Sequence, residues 1–110
     1  MEAFEIGDLM TRRAARGVAY LEFLRPASMS VALYHLPAGG EDGQRPHAED
    51  EVYYVVRGRA RVRVAGEDRA VEPGSLVFVP RRVPHAFFAI AEDLTLLVLF
   101  APPHDPAQNG

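Results

Sequence analysis

The feature that most constrains this chain is the close, regular spacing of short β-prone runs between turn signals. The runs are rich in valine, leucine and aromatic residues, and glycine, proline or acidic residues separate them. About eight or nine strands and one short helix are predicted in this way. The pattern predicts an all-β fold, either a sandwich or a barrel.

The predicted elements divide the chain into an arm, a barrel and a tail within one domain. The helix is predicted over residues 8–16, with Asp8 as its cap and Gly17 as its stop signal. Strands are predicted at 18–24, 28–36, 52–56, 59–65, 69–71, 75–79, 85–90 and 94–100. The arm and helix take residues 1–17, the barrel takes 18–100, and 101–110 is expected to be a flexible, Pro-rich tail.

Composition and charge exclude several classes of function. The chain has no cysteine, so any metal ion must bind to His, Asp, Glu, backbone or water. The net charge of −3 argues against nonspecific nucleic-acid binding. Every second residue from 57 to 63 is an arginine, and we interpret the four as a one-sided, solvent-facing row: Arg57, Arg59, Arg61 and Arg63. No segment looks like a signal peptide or a membrane span, and we predict a cytoplasmic protein with no membrane or nucleic-acid partner.

The stretch 46–58 places an imidazole and three carboxylates at the head of a strongly β-prone run. Side chains alternate between the two faces of a strand, so the residues of one parity point the same way. These residues are His47, Glu49, Glu51, Tyr53 and Val55. A carboxylate on an inward face is costly unless it is paired or bound to a cation. We therefore predict that His47 and Glu51 are two ligands of a metal ion.

A third ligand is predicted from the second punctuated segment of the chain. His85 opens a strand directly after Pro80 and Pro84, and it is one of only four histidines. Two imidazoles and one carboxylate on one side of an ion leave other coordination positions open. The hypothesis is one divalent transition metal ion, Fe, Mn, Ni, Co or Zn, held by His47, Glu51 and His85.

Together the two segments resemble the two motifs of the cupin superfamily, G-x5-H-x-H-x3/4-E-x6-G and G-x5-P-x-G-x2-H-x3-N. The first motif falls on Gly39, Arg45, His47, Glu51 and Gly58. The second falls on Gly74, Pro80, Arg82, His85 and Ala89. The resemblance implies a small single-domain jelly-roll barrel, or double-stranded β-helix, with a metal ion inside its mouth, and often a homodimer.

Three positions depart from the family pattern. Arg82 stands in place of a glycine and Ala89 in place of an asparagine. Arg45 stands in place of the first histidine, and a guanidinium cannot ligate a metal ion. The site then has three protein ligands plus water, or a neighbour supplies the fourth, either Gln44 through its amide oxygen or Glu49. Alternatively, Arg45 points into the pocket and binds a substrate carboxylate.

Several of these residues have a simpler interpretation. Glu49 and Asp50 are acidic residues near a connection, where solvated or loop-capping side chains are typical. Tyr34, Tyr53 and Phe87 are candidates for lining a substrate pocket, although aromatic residues of small barrels often form the core alone. Of these three, only Tyr53 and Phe87 have the same parity in the sequence as the proposed ligands, so only they are expected to share a face with them.

The resemblance implies a mononuclear metal-dependent enzyme acting on a small molecule. Dioxygenase-like chemistry is the leading expectation, with isomerase or lyase chemistry as neighbouring alternatives. Two further interpretations remain open from the sequence. One is a non-catalytic cupin that binds a small ligand or acts as a sensor, and the other is a dimeric scaffold whose site is a relic.

Overall fold

The computed structural model describes residues 1–109. These residues form two antiparallel sheets and two helices. The elements in chain order are α1 Ile6–Arg16, β1 Tyr20–Leu24, β2 Ser30–Leu36, β3 Asp50–Arg57, β4 Ala60–Val64, β5 Glu67–Val71, β6 Leu76–Val79, β7 His85–Phe88, β8 Leu94–Ala101 and α2 Pro106–Asn109. The predicted strands are present, with ends shifted by a few residues. The second helix, a single turn, was not predicted.

The sheets have the topology of a jelly roll. The larger sheet has the order β1-β2-β8-β3-β6, and the smaller one has the order β5-β4-β7. The last strand of the barrel, β8, lies between β2 and β3 and pairs with both in antiparallel register. Pairing between strands distant in sequence closes the barrel. The prediction of an all-β jelly roll with a short N-terminal helix is confirmed.

Helix α1 covers the outer face of the larger sheet beside β2. It buries Leu9, and Gly17 ends it in the left-handed conformation with φ 65°. The prediction that Asp8 caps this helix is wrong, because the helix begins at Ile6 and Asp8 lies in its first turn. A carboxylate in the first turn still stabilises the helix, because it lies near the positive end of the helix dipole. No helix within residues 1–109 is long and apolar enough to cross a membrane.

The core lies between the two sheets and is built from the inward parity of each strand. On β3 the inward residues include Tyr53 and Val55, and on β8 they are Leu96, Val98 and Phe100. Burying an apolar side chain of this size contributes roughly 1.5–3 kcal/mol. Glu51, at the start of β3, has the same parity as these residues, so its side chain points inward at the mouth of the barrel.

The first residues after β8 lie against the barrel at His104 and Asp105, whereas residues 101–110 were predicted to form a loose tail; Gly110 lies outside the described residues. Ala101 still belongs to β8. The backbone N–H of His104 donates to Ser30 Oγ at 2.9 Å, and its carbonyl accepts from Arg25 at 2.6 Å. These hydrogen bonds satisfy backbone groups that a loose segment would leave to water.

Candidate metal centre

The three predicted ligands meet at the mouth of the barrel, although they come from different parts of the fold. His47 precedes β3, Glu51 is its second residue, and His85 begins β7 in the other sheet. Their ligand atoms all lie within 4.8 Å of one another. Glu51 Oε1 is 3.1 Å from His85 Nε2 and 3.8 Å from His47 Nε2. The side chains are buried, with residue exposures of 9% for His47, 1% for Glu51 and 7% for His85.

The carboxylate of Glu51 is the unusual group of this cluster. Both of its oxygens are buried, and neither has a well-formed hydrogen bond within residues 1–109. The close approach to His85 Nε2 is an electrostatic contact whose geometry is poor for a hydrogen bond. A buried carboxylate without hydrogen bonds is costly unless a cation accompanies it. Two imidazoles and one carboxylate suit a divalent transition metal ion, so the residues fit such a group.

The two imidazoles differ in their electrostatic surroundings. Burial lowers the pKa of His47, and the neighbouring His85 and His104 lower it further against the opposing effect of Glu51. Burial also lowers the pKa of His85, but the contact with Glu51 and the Val83 carbonyl outweighs it and raises the pKa overall. His85 Nδ1 lies 3.0 Å from that carbonyl and donates to it. This contact orients the ring so that Nε2 is the nitrogen facing the cluster.

Gln44, and not Arg45, reaches the cluster from the loop before β3. Its side-chain Nε2 donates to the Tyr53 hydroxyl at 2.9 Å and to Asp42 Oδ2 at 3.4 Å. These bonds orient the amide so that Oε1 faces His47 Nε2 at 3.0 Å. Arg45 is exposed and does not line the cavity beside the cluster. The expectation that Arg45 points into the pocket is therefore wrong, because the loop turns that side chain towards solvent.

Asp42 is a site residue that the sequence analysis missed. Its carboxylate accepts from the Tyr34 hydroxyl at 3.0 Å, from the Phe87 N–H at 3.0 Å and from the Gln44 N–H at 3.3 Å. Asp42 therefore links the loop before β3 to strands β2 and β7. The only signal in the sequence is an acidic residue beside a glycine in a polar loop, which is too common to identify it.

The three aromatic residues predicted to line a pocket occupy two different places. Tyr53 and Phe87 are buried in the core, with ring centroids 4.9 Å apart in an edge-to-face contact. Only the hydroxyl of Tyr53 reaches the cluster, 3.2 Å from His85 Nε2. Burial, followed by the nearby Glu51, raises the pKa of Tyr53, so the hydroxyl stays protonated. Tyr34 lines the cavity.

Glu49 is buried, which corrects the interpretation of this residue as a solvated side chain. It is 3% exposed and accepts from His104 Nδ1 at 3.1 Å and from the Asp105 N–H at 3.3 Å. No sequence pattern indicates a role for His104, because nothing local shows that the last segment returns to the barrel mouth. Asp50 accepts from the Arg81 N–H at 2.9 Å, as expected for a loop-capping residue.

Glu49 and His104 form a second group with His47 whose ligand atoms also lie within 4.8 Å of one another. The ring of His104 stacks on Phe100 and meets His47 edge-on, with centroids 4.7 and 5.3 Å apart. Unlike Glu51, the carboxylate of Glu49 has hydrogen-bond donors. Its charge is therefore compensated without an ion, and we interpret this group as support for the His47 ring.

A cavity of about 550 Å³ opens beside His47 and Gln44. Its walls are largely the rings of Tyr20, Tyr34, Phe100 and His104. Arg25 and Glu22 also line it and form an ion pair of 2.6 Å. The sequence analysis did not single out either residue, because Arg25 stands in a turn and Glu22 in a strand without any motif. Through His47 and Gln44 the cavity borders the cluster.

Arg82 replaces the glycine of the second motif and takes the backbone conformation that glycine favours, with φ 62°. Its N–H donates to the His47 carbonyl at 2.6 Å. The turn therefore helps to hold the loop that carries a proposed ligand. Ala89, in place of the motif asparagine, also has a positive φ of 48°.

Replacing Arg82 with glycine is expected to stabilise the fold by ~0.5–1 kcal/mol, because a left-handed residue with a Cβ is strained. The measurement is the midpoint of urea unfolding. Arg81→Gly is the matched control, since Arg81 has no positive φ and glycine there only adds freedom to the unfolded chain. An equal loss of stability in both variants would contradict the assignment of strain to Arg82.

Fold and site together define a class of protein: a single jelly-roll barrel with a buried His/Glu group at its mouth that is suited to a metal ion. The family model described as the cupin domain matches residues 32–101. The chain belongs to the cupin family, and the resemblance seen in the sequence is confirmed.

The relatives of this chain include proteins with and without an assigned activity. An uncharacterised protein of Streptomyces coelicolor is 53% identical over 103 residues, which are 94% of this chain and 98% of the relative. The crystal structure of TT1209 from Thermus thermophilus is 30% identical with a TM-score of 0.79, covering 94% of this chain and 99% of that one. The DMSP lyase DddQ from Ruegeria pomeroyi is 28% identical with a TM-score of 0.65, over 69% of this chain and 39% of the lyase.

Proposed function

We propose that this protein is a mononuclear metal-dependent enzyme that binds one divalent transition metal ion through His47, Glu51 and His85. The observation that carries the proposal is the Glu51 carboxylate, which lies buried beside two imidazoles and has no well-formed hydrogen bond within residues 1–109. A bound ion would supply Lewis-acid chemistry or, as iron, a site for oxygen. The metal is Fe, Mn, Ni, Co or Zn, since each accepts nitrogen and oxygen ligands of this kind.

Gln44 is proposed as the fourth protein ligand, in the role that Arg45 cannot fill. Its amide nitrogen is held by Tyr53 and Asp42, so the amide oxygen is the atom presented to His47 and the cluster. An amide oxygen is a weaker ligand than a carboxylate or imidazole, so a substrate would displace it from the ion more readily. Tyr53 and Asp42 act on the site through Gln44, as positioning residues.

The cavity supports an enzymatic role on a small molecule. It borders His47 and Gln44, so a substrate held by its aromatic walls would reach the ion directly. Dioxygenase-like chemistry is our leading proposal for the reaction, because a site with two histidines and one carboxylate suits iron and leaves positions for oxygen and substrate. The lyase DddQ provides precedent for an enzyme among similar structures, and lyase chemistry is the alternative reaction. A cytoplasmic location stays a prediction of the sequence.

The test combines metal analysis with turnover. Protein purified without added metal is expected to hold a stoichiometric transition metal ion, and His47→Ala is expected to lose it. The iron-loaded protein is then tested for oxygen uptake with a panel of enediols, catechols and keto acids. Absence of metal from the wild type, or undiminished metal in His47→Ala, would overturn the proposal. Metal without uptake of oxygen would instead favour lyase, isomerase or non-catalytic binding.

We also propose that the protein is a homodimer that pairs through the outer face of β3 and β6. Two rows of apolar side chains cross β6, β3 and β8 on this face. The first row is Phe78, Val52 and Leu99, and the second row is Leu76, Tyr54 and Leu97. The most exposed are Leu76 at 66% and Phe78 at 58%. The rows contain no charge, and α1 covers only the neighbouring part of this face. An uncharged apolar sheet face of this kind suits self-association.

Phe78→Glu is expected to convert the dimer to a monomer, because a two-fold axis would bring both new carboxylates into the same apolar interface. Light scattering coupled to size-exclusion chromatography measures the mass. Arg61→Glu, a charge change on the exposed face of the smaller sheet, is the control and is expected to leave the mass unchanged. A wild type that runs as a monomer would overturn the proposed dimer.

A further inference from the structure

Arg25, which directly follows β1, brings a permanent positive charge to the wall of the cavity beside the proposed metal site. One terminal nitrogen of its guanidinium donates to Glu22 Oε1 at 2.6 Å, and the other donates to the His104 carbonyl at 2.6 Å. Both partners line the same cavity, so the two contacts fix the guanidinium at its wall. They use only part of its donor capacity, since a guanidinium carries five N–H donors.

Other polar side chains of this wall are already committed to contacts within the protein. The Tyr34 hydroxyl and the Gln44 amide nitrogen both donate to the same carboxylate in the loop before β3. His104 Nδ1 lies 3.1 Å from Glu49 Oε1 and donates to it. Arg25 therefore offers a ligand the positive charge and the remaining donors that these groups lack.

The ion pair between Arg25 and Glu22 is weak enough to admit a second anion. The side chain of Arg25 is 46% exposed and that of Glu22 is 30% exposed, and an ion pair in contact with water contributes little free energy. A ligand carboxylate that joins or replaces Glu22 at the guanidinium would therefore lose little. The contact with the His104 carbonyl would still hold the guanidinium in position.

We propose that Arg25 selects the substrate by binding a carboxylate of the small molecule in this cavity. The substrate class is an organic acid with an aromatic or apolar body, because the rings of Tyr34 and Phe100 line the cavity beside the charged group. The proposal rests on the proposed function, since it takes the cavity beside the metal ligands as the substrate site. It assigns to Arg25 the carboxylate contact that the sequence suggested for Arg45, which is exposed and does not line the cavity.

The experiment compares the binding of carboxylic acids and of their neutral amides to the wild type and to Arg25→Met. The probes are protocatechuate and dihydrocaffeate, two catechol acids of different length, each with its amide, and calorimetry of the metal-loaded proteins measures the affinities. In Arg25→Met the ratio of acid affinity to amide affinity is expected to fall about 5–10-fold for at least one pair, because only the acid loses a charged partner. A purely structural role of Arg25, through the contact with His104, would weaken acid and amide alike and leave the ratio unchanged.

Glu22→Gln is the matched control, because it breaks the ion pair from the other side and keeps the guanidinium. This variant is expected to keep or raise the ratio, since the ligand carboxylate no longer competes with Glu22 for Arg25. An unchanged ratio for both probe pairs in Arg25→Met would overturn the inference. An equal fall in both variants would also overturn it, because the loss of the ion pair would then be the cause.

Metal analysis of the same preparations separates this inference from the proposed function. A wild type that holds metal, combined with an unchanged ratio in Arg25→Met, would overturn the inference alone. A wild type without metal would overturn the proposed function, and the same ratios are then measured on the metal-free proteins. A fall in Arg25→Met alone would support a carboxylate-binding cavity there, and an unchanged ratio would overturn it. Absence of binding by every probe overturns the inference with or without metal.

Discussion

Replacing Glu51 with glutamine is expected to abolish metal-dependent stabilisation of the fold. An ion present at 100–1,000 times its dissociation constant adds ~3–4 kcal/mol to the free energy of unfolding. For a domain of this size that corresponds to a rise in melting temperature of roughly 10–30 °C. Glutamine has nearly the same shape but no charge, so the ion would lose the anionic ligand that neutralises it between His47 and His85. The measurement is thermal unfolding with and without a chelator, together with metal content.

Glu49→Gln is the matched control for this prediction. Glu49 lies two residues earlier, has the same parity and is also buried, but its carboxylate accepts hydrogen bonds from His104 and Asp105. We expect this variant to keep the metal-dependent rise in melting temperature from a somewhat lower starting value. If Glu49→Gln loses the ion and Glu51→Gln keeps it, the ion binds in the second group, with His47 and His104.

Replacing Gly58 with alanine is expected to destabilise the fold by ~3–5 kcal/mol, close to the total stability of many small domains. Gly58 has a φ of 98°. A Cβ at this position would collide with the carbonyl oxygen of Asp93 and would lie 2.8 Å from Leu94 Cα. Both neighbours are backbone at the start of β8, so neither can rotate away. Urea unfolding monitored by circular dichroism measures the loss.

Gly66→Ala separates the steric effect from backbone strain. Gly66 has a comparable φ of 84°, but a Cβ there would meet no atom within 4 Å. The free energy of unfolding of this variant is therefore expected to fall by only ~1–2 kcal/mol, which is the cost of the left-handed conformation for a residue with a Cβ. Similar losses in the two variants would show that the close approach of β8 to Gly58 is not the cause.

The parts of the site that lie on strands were predictable from the sequence. Glu51 and Tyr53 share a parity on β3, so alternation along a strand places both on the same face, and the structure shows that this face is the inner one. His47 and His85 were found through motif spacing, because a ligand must stand at a fixed distance from the strand or turn that positions it. Arg82 was recognised as a departure, and its positive φ shows that the backbone keeps the shape of the motif despite the side chain.

Side-chain directions on the loop before β3 were only partly predictable from the sequence. Arg45 was a candidate for the pocket, yet its neighbour Gln44 enters the site and Arg45 faces solvent. Alternation applies only to extended strands, so in this loop it does not indicate which of two neighbouring side chains faces the site. Glu49 was interpreted as solvated because acidic residues near connections usually are. Its partner, His104, is 55 residues away in sequence, so no local pattern indicates the contact.

The amino-acid sequence alone determined that this protein is a β jelly roll of the cupin family and which two histidines and one glutamate approach one another. Alternation along the strands indicates an all-β fold, whereas the jelly roll is implied by the resemblance of the two spaced motifs to the cupin family. Only the tertiary structure shows that the Gln44 amide oxygen faces His47 and that Glu49 accepts a hydrogen bond from His104. The direction of the Gln44 side chain depends on how its loop folds, and the contact between Glu49 and His104 joins residues 55 positions apart, so no local pattern encodes either of them.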